Sequence, residues 1–196
     1  MSSGKYDFSI WKGSTVDKTL RWQSPPYIYK QIQGVTNSAP VKINCTGHGL
    51  PNGWTVLVES VKGMTQINSN NDKDWKKVDV LDANNFEIND TNSIDYKPYA
   101  GGGVIRYLTP VDLTGFTARM TIRDKIGGTE ILKITTENGS IILDVAQSSV
   151  ILKITALQTA TITQKKGVYD LEMVSLSGDV SKLISGNIHF VSESTT

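Results

Sequence analysis

Between Val41 and Tyr107 a run of short β signals, punctuated by Gly, Asn and Asp, interrupts a second β pattern that continues on either side of it. The run opens with Gly47-His48-Gly49-Leu50-Pro51-Asn52-Gly53 and carries Asp82-Ala83-Asn84-Asn85-Phe86-Glu87-Ile88 in its middle. It closes at Gly101-Gly102-Gly103. That layout predicts a small module inserted into a host domain, with the flanking segments meeting in space to form one discontinuous unit.

Period-two alternation recurs along the flanks while helical periodicity is scarce, which predicts an all-β, antiparallel protein with one buried face per sheet. The clearest strand is Phe116 to Arg123, with Phe116, Ala118, Met120 and Ile122 inward and Thr117, Arg119, Thr121 and Arg123 outward. Strands follow at Glu130–Thr135, Ser140–Val145 and Val150–Ile154. A short helical turn is expected at Ala156–Ala160, capped by Thr155. Farther on, Tyr169, Leu171 and Met173 share one face and Asp170 and Glu172 the other. Near the N-terminus, Tyr6, Phe8 and Ile10 form one strand, and Val16, Lys18, Leu20 and Trp22 a second. Two strands cannot bury their apolar faces alone. Residues 1–36 and 108–196 are therefore expected to form an antiparallel β-sandwich. Ser24-Pro25-Pro26 and Leu108-Thr109-Pro110 mark the edges of the interruption, because proline does not extend a central strand. Inside residues 37–107, five short strands are best freed of exposed edges by rolling into a small β-barrel.

Twenty basic residues stand against 19 acidic ones, so no net field draws the chain to nucleic acid or to an anionic membrane. Cys45 is the single cysteine, which excludes an internal disulfide framework and fits folding in a reducing host cytoplasm. No run approaches the roughly 20 apolar residues of a membrane span, and the first residues lack the apolar centre of a signal peptide.

The runs quoted above, with Val61-Lys62-Gly63-Met64 and Ile67-Asn68 between them and Tyr99-Ala100 before the glycines, resemble the repeat found in bacteriophage tail and baseplate proteins. That repeat is itself similar to the first catalytic-cysteine half-domain of ubiquitin-activating enzymes. The flanks carry Asp112-Leu113-Thr114-Gly115-Phe116, Gly167-Val168-Tyr169-Asp170-Leu171-Glu172 and Leu183-Ile184-Ser185-Gly186-Asn187-Ile188. They resemble the N-terminal domains of baseplate upper proteins. The resemblance implies a structural component of a phage virion, in the tail, baseplate or neck, that mediates subunit assembly or fibre attachment. Its partners would be other virion proteins and further copies of itself in a symmetric ring, with no membrane and no specific nucleic acid. Ubiquitin activation is not implied, since no nucleotide-binding loop is present.

Candidate chemistry is thin. His48 and His189 fall in different expected domains, so a histidine metal site or a Ser-His-Asp triad has little support, and His48 is read as pinning its own turn. Asn70-Asn71-Asp72-Lys73-Asp74 lacks the spacing of a calcium loop and reads as a solvated tip. Gly101-Gly102-Gly103 lacks the lysine and helix of a phosphate loop and reads as a flexible turn. Cys45 reads as a small buried hydrophobe. No catalytic residue, metal or cofactor is expected, and the chain is read as non-enzymatic. Tyr27, Tyr29, Trp54 and Trp75 are the candidate interface residues, since rings in a proline-bearing connection or beside an Asn-Gly turn suit docking against a neighbour. An alternative is a carbohydrate- or receptor-binding module built on Trp54, Trp75 and the Asn68–Asn71 loop.

Overall fold

The computed structural model describes residues 4–192. In chain order its strands are β1 (Gly4–Lys5), β2 (Phe8–Trp11), β3 (Val16–Arg21), β4 (Gln23–Gln31), β5 (Gly34–Thr36), β6 (Val41–Asn44), β7 (Thr55–Lys62), β8 (Lys76–Val80) and β9 (Asn85–Ile88). There follow β10 (Gly101–Pro110), β11 (Thr117–Arg123), β12 (Glu130–Thr135), β13 (Ile141–Asp144), β14 (Ser149–Ile154), the helix α1 (Ala156–Ala160), β15 (Lys166–Val174) and β16 (Val180–Val191). The protein is all-β, and its residues gather into two compact units. One takes the residues up to Trp22 and those from Asp112 onward, and the other is Gln23–Val111.

These limits correct the expected insert of 37–107 and host of 1–36 with 108–196. β4, read as host sequence, pairs with β10 from Gln31 opposite Val104 to Gln23 opposite Pro110. It therefore belongs to the insert. Pro25 and Pro26, expected to end a strand, lie within it. β4 stands at the end of its sheet. The ladder also steps from the Tyr27–Leu108 pair directly to Ser24–Thr109, so the two prolines bulge out where no N–H is required.

In the discontinuous unit the larger sheet runs β1-β16-β15-β11-β12, with β2 also on β16, and a smaller one runs β13-β14-β3. The alternation of β11 and β15 holds as read: Ala118, Met120, Ile122, Tyr169, Leu171 and Met173 are all buried. On the smaller sheet Val150, Leu152 and Ile154 supply the apolar face. The C-terminal strand pieces are one continuous element, β16. Against it β1 and β2 pair in parallel, a departure from the antiparallel expectation. Between them the chain steps over Gly186, where a Cβ would lie 2.2 Å from the Tyr6 carbonyl oxygen. Asp7 then fills the broken ladder by accepting the Asn187 backbone N–H at 2.7 Å. That bond holds the Asp7 carboxyl below the usual carboxylate range. α1 forms where expected, and Thr155 and Gln158 complete a capping box at its start.

The inserted unit is one seven-stranded sheet in the order β4-β10-β7-β8-β9-β6-β5. Its first and last strands are neighbours in sequence. Ile32 N–H extends the ladder to Gly103 O at 3.0 Å, and Gln33 N–H begins the other ladder at Asn44 O at 2.9 Å. The sheet is thereby rolled on itself as a small barrel around Val41, Ile43, Trp54, Val56, Val58, Phe86, Ile88, Ile105 and Tyr107. Gly101-Gly102-Gly103, read as a flexible turn, instead begins β10, with Gly101 opposite Lys62 and Gly102 opposite Val61. Gly103 has a φ of 96°. A Cβ there would lie 2.5 Å from Val61 Cγ2. Glycine serves here to let two strands and Ile32 close together.

Candidate interface on the inserted unit

β4, β10 and β7 lie side by side, and opposed residues share a face. Arg106 stands opposite Tyr29 on one side and Leu57 on the other, while Tyr27 stands opposite Leu108. Ile28, Ile105, Val56 and Val58 belong to or pack on the barrel core. Tyr27, Tyr29, Arg106 and Glu59 therefore occupy the outer face. The segment after the 3-10 turn (Thr65–Ile67) runs close by this face. It is fastened by Ser69 N–H to Val58 O at 2.7 Å and by Ser69 Oγ, which accepts the Val58 N–H at 3.1 Å.

That return brings Trp75 onto Tyr27, with centroids 6.5 Å apart and planes 19° from parallel, while Tyr27 meets Tyr29 edge-on at 6.5 Å. The Arg106 guanidinium lies 4.8 Å from the Tyr27 ring centroid. Its Nε donates to Glu59 Oε1 at 2.8 Å and its Nη2 to Asp72 Oδ1. The bond to Asp72, followed by the two contacts with Glu59, holds this guanidinium still more firmly protonated. Tyr29 is 57% exposed and Tyr27 39%, so the rings face solvent, although Tyr27 is fixed by Trp75 and Arg106 and Tyr29 leans on Tyr27. Such a surface meets a partner with little side-chain entropy left to lose.

Three of the four candidate interface residues thus come together, and the fourth does not. Trp54 is wholly buried within the barrel, which corrects its placement at an exposed edge. Its backbone is held by the bond from Val78 N–H at 3.0 Å. Asn68 is also committed to the fold: its side chain accepts from Val61 N–H at 2.9 Å and donates to Val61 O at 3.0 Å. The sequence reading missed Arg106, Glu59 and Asp72. Outward parity in β10 marks Arg106 as exposed, yet its partners lie 47 and 34 residues away and become visible only once the register is known.

The remaining candidates are structural. His48 is buried, accepts the Leu50 N–H on Nδ1 at 3.0 Å and donates from Nε2 to Asp82 O at 2.9 Å. Its own carbonyl accepts from the Tyr107 hydroxyl. Burial pushes the Cys45 thiol up to about 11, against the activation a nucleophile needs. Asp74 accepts from Asn70 N–H at 2.8 Å, closing its tip, and these bonds lower its pKa. β8, which follows Trp75 directly, lies between β7 and β9, and its Lys76 reaches Asp74 at 3.4 Å. Among the described residues no group of three or more His, Cys, Asp or Glu is placed to hold a metal ion.

No curated protein matches this chain. Residues 32–108, which span the barrel apart from β4 and the last two residues of β10, match the family model of the ubiquitin-activating enzyme E1 FCCH domain.

Proposed function

We propose that the chain is a non-enzymatic structural component of a phage virion, in the tail, baseplate or neck, and that the inserted barrel carries a surface for subunit assembly or fibre attachment. The observation that carries this reading is the cluster in which Trp75 stacks on Tyr27, Tyr29 meets Tyr27 edge-on and Arg106 lies over the Tyr27 ring. Tyr, Trp and Arg are the residues that dominate binding energy at protein interfaces, and here they sit at the surface of a unit that buries its cysteine and histidine as packing. The resemblance of insert and flanks to tail and baseplate proteins supplies the setting, and ring symmetry would multiply a modest contact into stable attachment. The carbohydrate alternative draws less support on this unit, because Trp54 is buried and Asn68 is bonded within the fold.

The test is quantitative mass spectrometry of purified virions from a host producing the protein, with the pair Tyr27→Ala and Tyr29→Ala as comparison. The chain is expected in particles at a fixed ratio to a tail protein. The double variant should lose at least about tenfold in incorporation, since two ring truncations at an interface remove more than 1.4 kcal/mol. Particles that lack the wild-type chain would sink the reading.

A further inference from the structure

A second surface lies on the discontinuous unit. The outward face of its larger sheet is a cleft of about 860 Å³, the size of a small-ligand site. Register shifts at Ile122/Arg123 and Leu171/Glu172 bend the strands that line it. Across the strands its side chains form rows. Arg119, Glu172 and Lys182 make one, Thr121, Asp170 and Ser185 the next, and Arg123 pairs with Val168 and Asn187 in the third.

The charges in these rows are fastened to one another. Arg119 Nε donates to Glu172 Oε2 at 2.8 Å, Lys182 meets Asp170 Oδ1 at 2.9 Å, and Arg123 donates to Gly128 O at 3.0 Å. Each bond uses only part of the group's capacity. The second oxygens of the carboxylates and the terminal nitrogens of Arg119 have further lone pairs and protons to offer. With Lys5 and Asp7 the lining holds four cations and three anions, intermixed. An anionic ligand would meet Asp170 and Glu172 in the central rows, and a cationic one would meet Arg119 and Lys182. A neutral ligand with many hydroxyls avoids both repulsions, because each hydroxyl donates to a carboxylate and accepts from a guanidinium or ammonium group.

We infer that this cleft binds a neutral, hydroxyl-rich chain, an oligosaccharide, laid across the row of Arg119, Glu172 and Lys182 and that of Thr121, Asp170 and Ser185. The inference rests on residues of the discontinuous unit and stands apart from the assembly reading.

The test is a two-dimensional amide NMR titration of the full chain with maltohexaose, chitohexaose and mannohexaose, with a heparin hexasaccharide and hexalysine as charged controls. At least one neutral oligosaccharide should shift the amides of Thr121, Asp170 and Ser185 saturably. Asp170→Asn and Thr121→Glu, both on a solvent-facing row, should each weaken that binding at least ~10-fold while the dispersed amide spectrum of the folded chain is retained. The mapping on the unaltered protein decides the matter even where a variant folds poorly. Three outcomes would overturn the inference: no response of these rows to any of the three sugars, stronger binding of either charged control there, or shifts centred instead on Tyr27, Tyr29 and Trp75.

Discussion

Trp54 shows how far single residues could be read. It follows an Asn-Gly turn, which argues for exposure, but it also has the parity of Val56 and Val58, which argues for the core, and packing prevails. Trp54→Ala should cost about 3–5 kcal/mol by urea denaturation, the loss typical of an aromatic core truncation. A cost below 1 kcal/mol would show the ring to be peripheral. Tyr29→Ala, by contrast, should change stability by less than about 0.5 kcal/mol, because the ring is mostly in water. Cys45 was legible as a small buried hydrophobe, and its burial has a pH signature. Folding raises the Cys45 thiol from 9.0 to about 11 and the Tyr107 hydroxyl from 10.0 to about 12. The folded state therefore holds protons that the unfolded chain has released. The stability tied to them is fully present below about pH 9 and falls as pH rises toward 11 and 12, by up to about 1.4 kcal/mol per pH unit and group. Denaturation midpoints at pH 8 and pH 10.5 should differ accordingly, and Cys45→Ala should reduce the difference. An unaltered midpoint would contradict the assignment.

Among elements, those set by local chemistry were legible. Alternation defined β11 and the inward face of β15, and Thr155 as a cap marked the start of α1. Thr155→Ala should cost about 1 kcal/mol. Elements whose form depends on distant partners were not legible. β4 contains a Pro-Pro pair that reads as a break and survives because of its position in the sheet, which no local pattern reports. The three glycines of β10 read as a turn because their reason is the nearness of Val61 and Ile32, settled across the ladder. Gly103→Ala combines a positive φ with a clash at Val61 and should cost about 1–3 kcal/mol. Gly101→Ala, whose Cβ would meet nothing within 4 Å, should cost less. Equal losses from the two would assign the effect to backbone conformation alone.

For the whole molecule, the presence of an insertion was plain in the sequence while its limits were not, since the boundary is drawn by the pairing of β4 with β10 and not by the prolines. A fragment of residues 23–111 should fold alone and give a dispersed NMR spectrum. One of 37–107 lacks β4 and β5, leaves β10 as an open edge, and should aggregate or remain unfolded. Dispersed spectra from both would restore the narrower boundary. Arg119, Thr121, Arg123, Asp170 and Glu172 were legible as solvent-facing positions, and the sequence could not show that they are brought into register with one another and with Lys182, Ser185 and Asn187. The two ends of the insert, Gln23 and Pro110, stand opposite each other in one ladder. In mechanical terms the barrel hangs on a double tether whose legs are already joined. Tension shared by both legs runs along β4 and β10 together and leaves the bonds between them slack, whereas a domain held by one leg would be peeled open strand by strand.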